Sequence, residues 1–225
     1  ETSGLGDYLD ATGLHLICSS HTPEEYESFK HPQVAWTFGI HPWYAAEGEV
    51  EKHLELLKAV PILGEIGMDS VWCDVALTIQ EKVFREQLAI AEKQMKLVVL
   101  HTKGQEARIS QILEDYDVPY MIHWYAGPMD LPLVKNARFI TLGPKPGAEA
   151  LALKPSQLLL ETDGLESLTW LDGKARSLDD WQPALEEAFA MLQKTLDVSA
   201  EALMNQLSRN NAALWQAART KAISS

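Results

Sequence analysis

The stretch Pro61-Ile62-Leu63-Gly64-Glu65-Ile66-Gly67-Met68-Asp69 is almost wholly apolar and places two carboxylates towards its end. Six other short, near-continuous apolar runs surround it, at 14–18, 34–40, 97–100, 120–122, 139–142 and 158–160. Such runs suit strands buried on both faces of a parallel sheet. Strands are therefore expected at 14–20, 34–41, 61–67, 97–102, 119–124, 138–143 and 157–162.

Helical patterns lie between the runs. Thr22-Pro23-Glu24-Glu25 reads as a helix start, with an N-cap, a proline in the first turn and a capping-box glutamate. Thr78-Ile79-Gln80-Glu81 repeats the capping box ahead of Phe84, Leu88 and Ala91 on one helix face. Ile109, Ile112, Leu113 and Tyr116 form a similar face. Two further helices are expected at 183–196 and 199–218, the second with Leu203, Leu207 and Leu214 on its core side. Uninterrupted strand–helix alternation means right-handed βαβ units, and seven strands in 225 residues point to one domain, 1–225, built as a TIM-type (β/α) barrel. A common barrel has eight strands. Residues 1–12 read as the end of a loop or helix that follows a first strand, so the sequence reads as starting after that strand.

Nineteen Lys and Arg against 32 Asp and Glu give a net charge of −13. Such a surface repels phosphate backbones at long range and argues against coating duplex DNA, while a pocket for one phosphate or one strand end stays open. The apolar fraction of 46% excludes disorder as a description of the whole chain. Cys18 and Cys73 make no framework and are expected as buried free thiols. No run of 18 apolar residues suggests a membrane span, and no basic-then-apolar leader opens the chain. A cytoplasmic setting is the expectation. No protein partner can be inferred.

Polar residues collect at the carboxyl ends of the apolar runs: His41, then Glu65 and Asp69, then His101, His123, and Glu161 with Asp163. In a parallel barrel these ends share the face that holds the active site. Imidazoles and carboxylates gathered there suit a divalent metal. His101 and His123 end strands directly and are candidate ligands. Glu65 lies in so apolar a stretch that it needs a metal or a charge partner. Asp163 is a candidate ligand and general base, and Glu161 shares its face by period two and can support it from behind. Asp69 is as readily a turn residue. His15, His21, His31 and His53 are expected to be structural. Trp43 and Trp124 suit a stacking wall for a flat substrate, with Tyr44 and Tyr125 as packing. His41 and Lys103 are candidates to steady a phosphate. No P-loop, dinucleotide fingerprint or nucleophile elbow is present.

These motifs, Phe38-Gly39-Ile40-His41-Pro42, Gly64-Glu65-Ile66-Gly67-Met68-Asp69, Val99-Leu100-His101-Thr102, Ile122-His123 with Gly127, and Glu161-Thr162-Asp163, resemble in order the serial motifs of TatD-related metal-dependent deoxyribonucleases. Gln87-Leu88 and Asn210 resemble further family positions, so the likeness runs from about residue 34 to 215. It implies an amidohydrolase-like barrel that binds one or two divalent cations (Mg, Mn or Zn) and hydrolyses phosphodiesters, with DNA ends or single strands as the expected substrate. By position Glu65 matches the bridging carboxylate, His101 and His123 the imidazoles of one metal site, and Asp163 the carboxylate of the other. The family's opening H-x-H pair is absent from this sequence. Either it precedes Glu1 or this member lacks it. The scaffold alone also admits an amide, ester or lactone hydrolase, or a catalytically silent barrel used for binding.

Overall fold

The computed structural model describes residues 4–219. Seven strands form one parallel sheet in sequence order: β1 (Leu16–Ser20), β2 (Val34–Phe38), β3 (Ile62–Asp69), β4 (Leu97–Lys103), β5 (Tyr120–Ile122), β6 (Phe139–Leu142) and β7 (Leu158–Leu160). All seven expected strands are present. Each pairs with its sequence neighbour, as βαβ units of a TIM-type barrel require, and β1 and β7 are the two edges.

The helices are α1 (Leu5–Thr12), α2 (Pro23–Ser28), α3 (Glu49–Lys52), α4 (Leu54–Ala59), α5 (Leu77–Lys93), α6 (Glu106–Leu113), α7 (Pro132–Asn136), α8 (Gly164–Asp172), α9 (Trp181–Leu196) and α10 (Ala200–Arg219). In α2 the expected cap forms, with the Glu25 amide donating to Thr22 Oγ1 at 3.1 Å. The second expected capping box does not form. Helix α5 starts at Leu77 after an N-cap at Ala76, which leaves Thr78 inside it. The Gln80 side chain reaches instead to the Asp69 backbone, accepting from its N–H at 2.8 Å and donating to its carbonyl at 3.0 Å. Helix α8 was not anticipated from the sequence. It begins at Gly164, whose φ of 82° no side-chain-bearing residue adopts easily. Both cysteines are free, but they are partly exposed rather than buried. No helix among the described residues is long and apolar enough to cross a membrane.

Burial on both faces explains the unbroken apolar runs. Val98, Leu100, Tyr120, Ile122, Ile140 and Leu158 pack in the large core towards the helices. Leu97, Val99, Met121, Phe139 and Leu159 alternate with them in a second cluster on the inner face. The period of two carries that inner face onward to His101, His123, Glu161 and Asp163. Strand β3 would break this rule without a bulge. Its pairing with β4 runs Ile62↔Leu97 and Leu63↔Val98, then resumes at Ile66↔Leu100. One extra residue is thus inserted, so Leu63, Ile66 and Met68 all join the helix-side core while Glu65 turns inward.

Candidate metal centre

Two sets of side chains come close enough to hold cations: His41, Glu65 and His101, and Glu65, His123 and Asp163. Within each set the potential ligand atoms lie within 4.8 Å of one another. Glu65 belongs to both. The sequence reading placed Glu65, His101 and His123 around a single ion. The side chains instead distribute the two imidazoles between the sets, with ring centroids 6.5 Å apart. One oxygen of Glu65 faces Nδ1 of His101 and Nε2 of His123, each at 3.8 Å. Nε2 of His123 is also 3.6 Å from Asp163.

The remaining nitrogens decide which imidazoles can act as ligands. Nε2 of His101 donates to Asp69 Oδ2 at 3.0 Å. Burial alone would raise the Asp69 carboxyl, but the Trp72 amide, the Trp43 indole and the Val71 amide outweigh it and hold Asp69 below the usual range. It is therefore an ionised acceptor, and the lone pair of His101 Nδ1 is bared towards Glu65. His123 is oriented the same way by a different carboxylate, with Nδ1 donating to Glu161 Oε2 at 3.0 Å. The other oxygen of Glu161 accepts from the Trp124 amide at 2.6 Å and from the Thr141 hydroxyl at 2.7 Å. Such carboxylate–imidazole pairs fix the tautomer and raise ligand basicity. His41 differs. Its Nδ1 accepts a long 3.3 Å bond from the Trp43 amide, which puts its proton on Nε2, the atom 4.0 Å from Glu65. By distance His41 sits with the ligands, but by hydrogen bonding it is a donor.

The electrostatics favour a cation. Burial opposes charge on Glu65, but the nearby charge of His123 and the contacts of His101 and His41 overcome this and hold it well below the usual carboxylate range. Burial also disfavours charge on His123, yet Glu161, Glu65 and Asp163 raise its affinity for a proton well above normal. The same negative pocket favours a metal ion in the proton's place. Burial, and then the charge of His101, lower His41 to about 3, which keeps it neutral. Asp163 is raised, chiefly by burial, against the opposing pull of His123 and of the Ser167 hydroxyl. Its backbone is left-handed, with φ of 54°, as is that of Trp124 with φ of 35°. Non-glycine residues held there are strained, a condition common at functional sites.

Two glycines make room for this arrangement. A side chain at Gly67 would run into the His101 carbonyl, and its φ of 148° is itself a glycine conformation. At Gly143 an added Cβ would lie 2.5 Å from the Trp124 indole. That indole is therefore packed against the end of β6. The Trp43 indole donates to Asp69 Oδ2 at 2.7 Å. Of the other aromatics, Tyr44 stacks on His21 at 4.5 Å, and the Tyr125 hydroxyl donates to the Pro128 carbonyl at 2.6 Å. Lys103 stands over the ring of Trp72 at 4.8 Å. His53 contacts Glu49 and His31 contacts Asp10, while His15 packs on Trp215, all away from the two sets. The orienting role of Asp69 was not legible in the sequence, because its partners come from β4 and from the turn after β2. All five members of the two sets line one cavity of about 2050 Å³.

Imidazole nitrogen and carboxylate oxygen suit Zn²⁺ and Mn²⁺, and a shared carboxylate suits a two-metal site. The residues present thus fit divalent cations, which Glu65, His101, His123 and Asp163 could hold.

A family model described as TatD-related DNase matches residues 13–216. An uncharacterised metal-dependent hydrolase of Methanocaldococcus jannaschii is 36% identical over 101 residues, covering 42% of this chain and 39% of that protein. The 3'-5' ssDNA/RNA exonuclease TatD of Pantoea vagans is 30% identical over 173 residues, covering 68% of this chain and 65% of that protein. This chain therefore matches less than two thirds of the length of either relative. Among solved structures, the TatD homologue YjjV of Escherichia coli superposes with a TM-score of 0.67 at 22% identity, covering 89% of this chain and 85% of that one. A TatD-family hydrolase of Entamoeba histolytica gives 0.68 at 14%, covering 93% and 87%.

Proposed function

The chain belongs to the TatD-related DNase family, and on that premise we propose that it is a single-domain, divalent-metal-dependent nuclease that releases nucleotides from the ends of single-stranded DNA. The observation that carries the reading is the pair of carboxylate-held imidazoles, His101 on Asp69 and His123 on Glu161, both presenting a lone pair to the shared Glu65. Held by Glu65, His101, His123 and Asp163, divalent cations would lower the pKa of a coordinated water and polarise the phosphoryl oxygen. The protein's own groups do the rest. Asp163, held above the usual carboxylate range, accepts the proton of the attacking water. Nε2–H of His41, neutral and buried, donates to a phosphate oxygen. Asp69 and Glu161 keep the imidazoles in one tautomer throughout. The net charge of −13 favours a substrate end entering one cleft over a duplex lying across the surface. A cytoplasmic setting goes with this reading.

The test is nucleotide release from single-stranded DNA and RNA with Mg²⁺ or Mn²⁺, with bound metal measured on the same samples. His123→Ala should lose nearly all activity together with metal. Asp163→Asn should lose roughly 10²–10⁴-fold in rate while retaining more of the metal. Full activity in His123→Ala would place the chemistry elsewhere. Turnover of an amide or ester, with no release from any nucleic acid, would assign the site to the other hydrolase class.

A further inference from the structure

Two exposed indoles take no part in the metal sets. Trp72, in the loop after β3, is 55% exposed, and Trp170, in α8, is 68% exposed. Their ring centroids are 5.8 Å apart, with the planes at 66°. Strands β4, β5 and β6 separate the two strands that carry these segments, so the pair bridges opposite sides of the opening above Glu65, His101, His123 and Asp163. Lys103, the last residue of β4, holds its ammonium over the Trp72 ring. All three line the same cavity as the candidate ligands. Neither indole N–H has a protein acceptor among the described residues, so packing with each other and with Lys103 is what positions the rings.

We propose that Trp72 and Trp170 clamp an unpaired nucleobase at the mouth of the site, with Lys103 on the adjoining phosphate. The proposal rests on the nuclease reading and names where a base is gripped. The two rings meet edge to face, and a base brings a flat π-face that can replace that contact with stacking on the indole faces. The two other tryptophans near the metal sets are already committed, Trp43 to Asp69 and Trp124 to the Gly143 backbone. Stacking needs no hydrogen-bond readout, so the clamp accepts any base but only in an unpaired strand. Among the described residues, Lys103 and Lys145 are the lysines lining the cavity and no arginine lines it, and Lys103 is the one already fixed to an indole.

The test uses the full chain with Mg²⁺ and a fluorescent phosphorothioate-linked oligothymidine, compared by anisotropy with the same backbone lacking bases. Trp72→Ala and Trp170→Ala should each raise Kd for the base-bearing strand about tenfold or more and leave the abasic strand unchanged. Trp170→Phe should recover most of the loss. Unchanged affinity in both alanine variants, or equal loss on both strands, would overturn the clamp. If the wild type also releases nucleotides from unmodified DNA, only the clamp falls. A wild type that neither binds the oligonucleotide nor cleaves DNA would remove the nuclease reading and the clamp with it.

Discussion

Glu161 shows how much a single carboxylate can set at this site. It accepts from the ring of His123, the amide of Trp124 and the hydroxyl of Thr141, and touches no candidate ligand atom directly. Glu161→Ala should therefore fold, yet bind metal about 10- to 100-fold more weakly, because His123 loses both its orientation and its basicity. Equilibrium metal titration of wild type and variant checks this, and equal affinities would deny Glu161 the role. Glu65, His101, His123 and Asp163 could be picked out of the sequence because each follows an apolar run, where an unsolvated polar group needs a partner. Asp69 could not, since its meaning comes from Trp43 and His101, contributed by other segments. The Trp72–Trp170 pair was hidden for the same reason. Only the curl of the seven-stranded sheet brings residues so far apart in sequence into contact.

At the scale of elements, helix α5 acts on the site without entering it. Its Gln80 closes two hydrogen bonds on the backbone of Asp69, and its Gln87 does the same at Ile40, accepting from the N–H at 2.8 Å and donating to the carbonyl at 3.1 Å. Both glutamines are buried. Gln87→Leu keeps the volume but orphans two buried backbone groups, and should cost about 2–4 kcal/mol in denaturant unfolding. A loss within about 0.5 kcal/mol, the range of ordinary surface substitutions, would show that solvent replaces the amide. Before β4, Lys96 plays a comparable part for α4. Its ammonium donates to the carbonyls of Leu57 at 2.7 Å and Lys58 at 2.6 Å, in the last turn of that helix. Burial lowers Lys96 from 10.5 to about 8. Between those values the unfolded chain holds a proton that the native state has released, so this group makes stability rise with pH across that window. Lys96→Met should lack that rise when unfolding free energies are compared from pH 8 to 10.5, and matching pH profiles would refute the assignment. The strands were readable as apolar runs because both their faces are buried. The start of α5 was misread because Gln80 serves the Asp69 backbone, a tertiary demand that no local cap pattern encodes. Helix α8 was missed because its N-cap, Asp163, reads as a site residue and its side chain makes no cap hydrogen bond.

For the whole molecule, the charge of −13 and the two lysines of the cavity set how nucleic acid is held. Single-strand binding releases counterions in proportion to the phosphates contacted, with a slope near −0.7 per contact. With two cations, log affinity against log salt should fall with a slope of about −1 to −2. Binding isotherms at several salt concentrations would measure it, and a slope beyond about −4 would require a basic surface that this cavity lacks. The glutamine clamps carry a consequence for motion. The amide protons of Ile40, just after β2, and Asp69, the last residue of β3, belong to different segments, yet each is held by a side chain of α5. They can exchange with deuterium only when that helix lets go, so both should share the protection of the α5 amides and lose it together. In that sense the residue preceding His41 and the carboxylate behind His101 open as one unit, governed by a helix on the outside of the barrel.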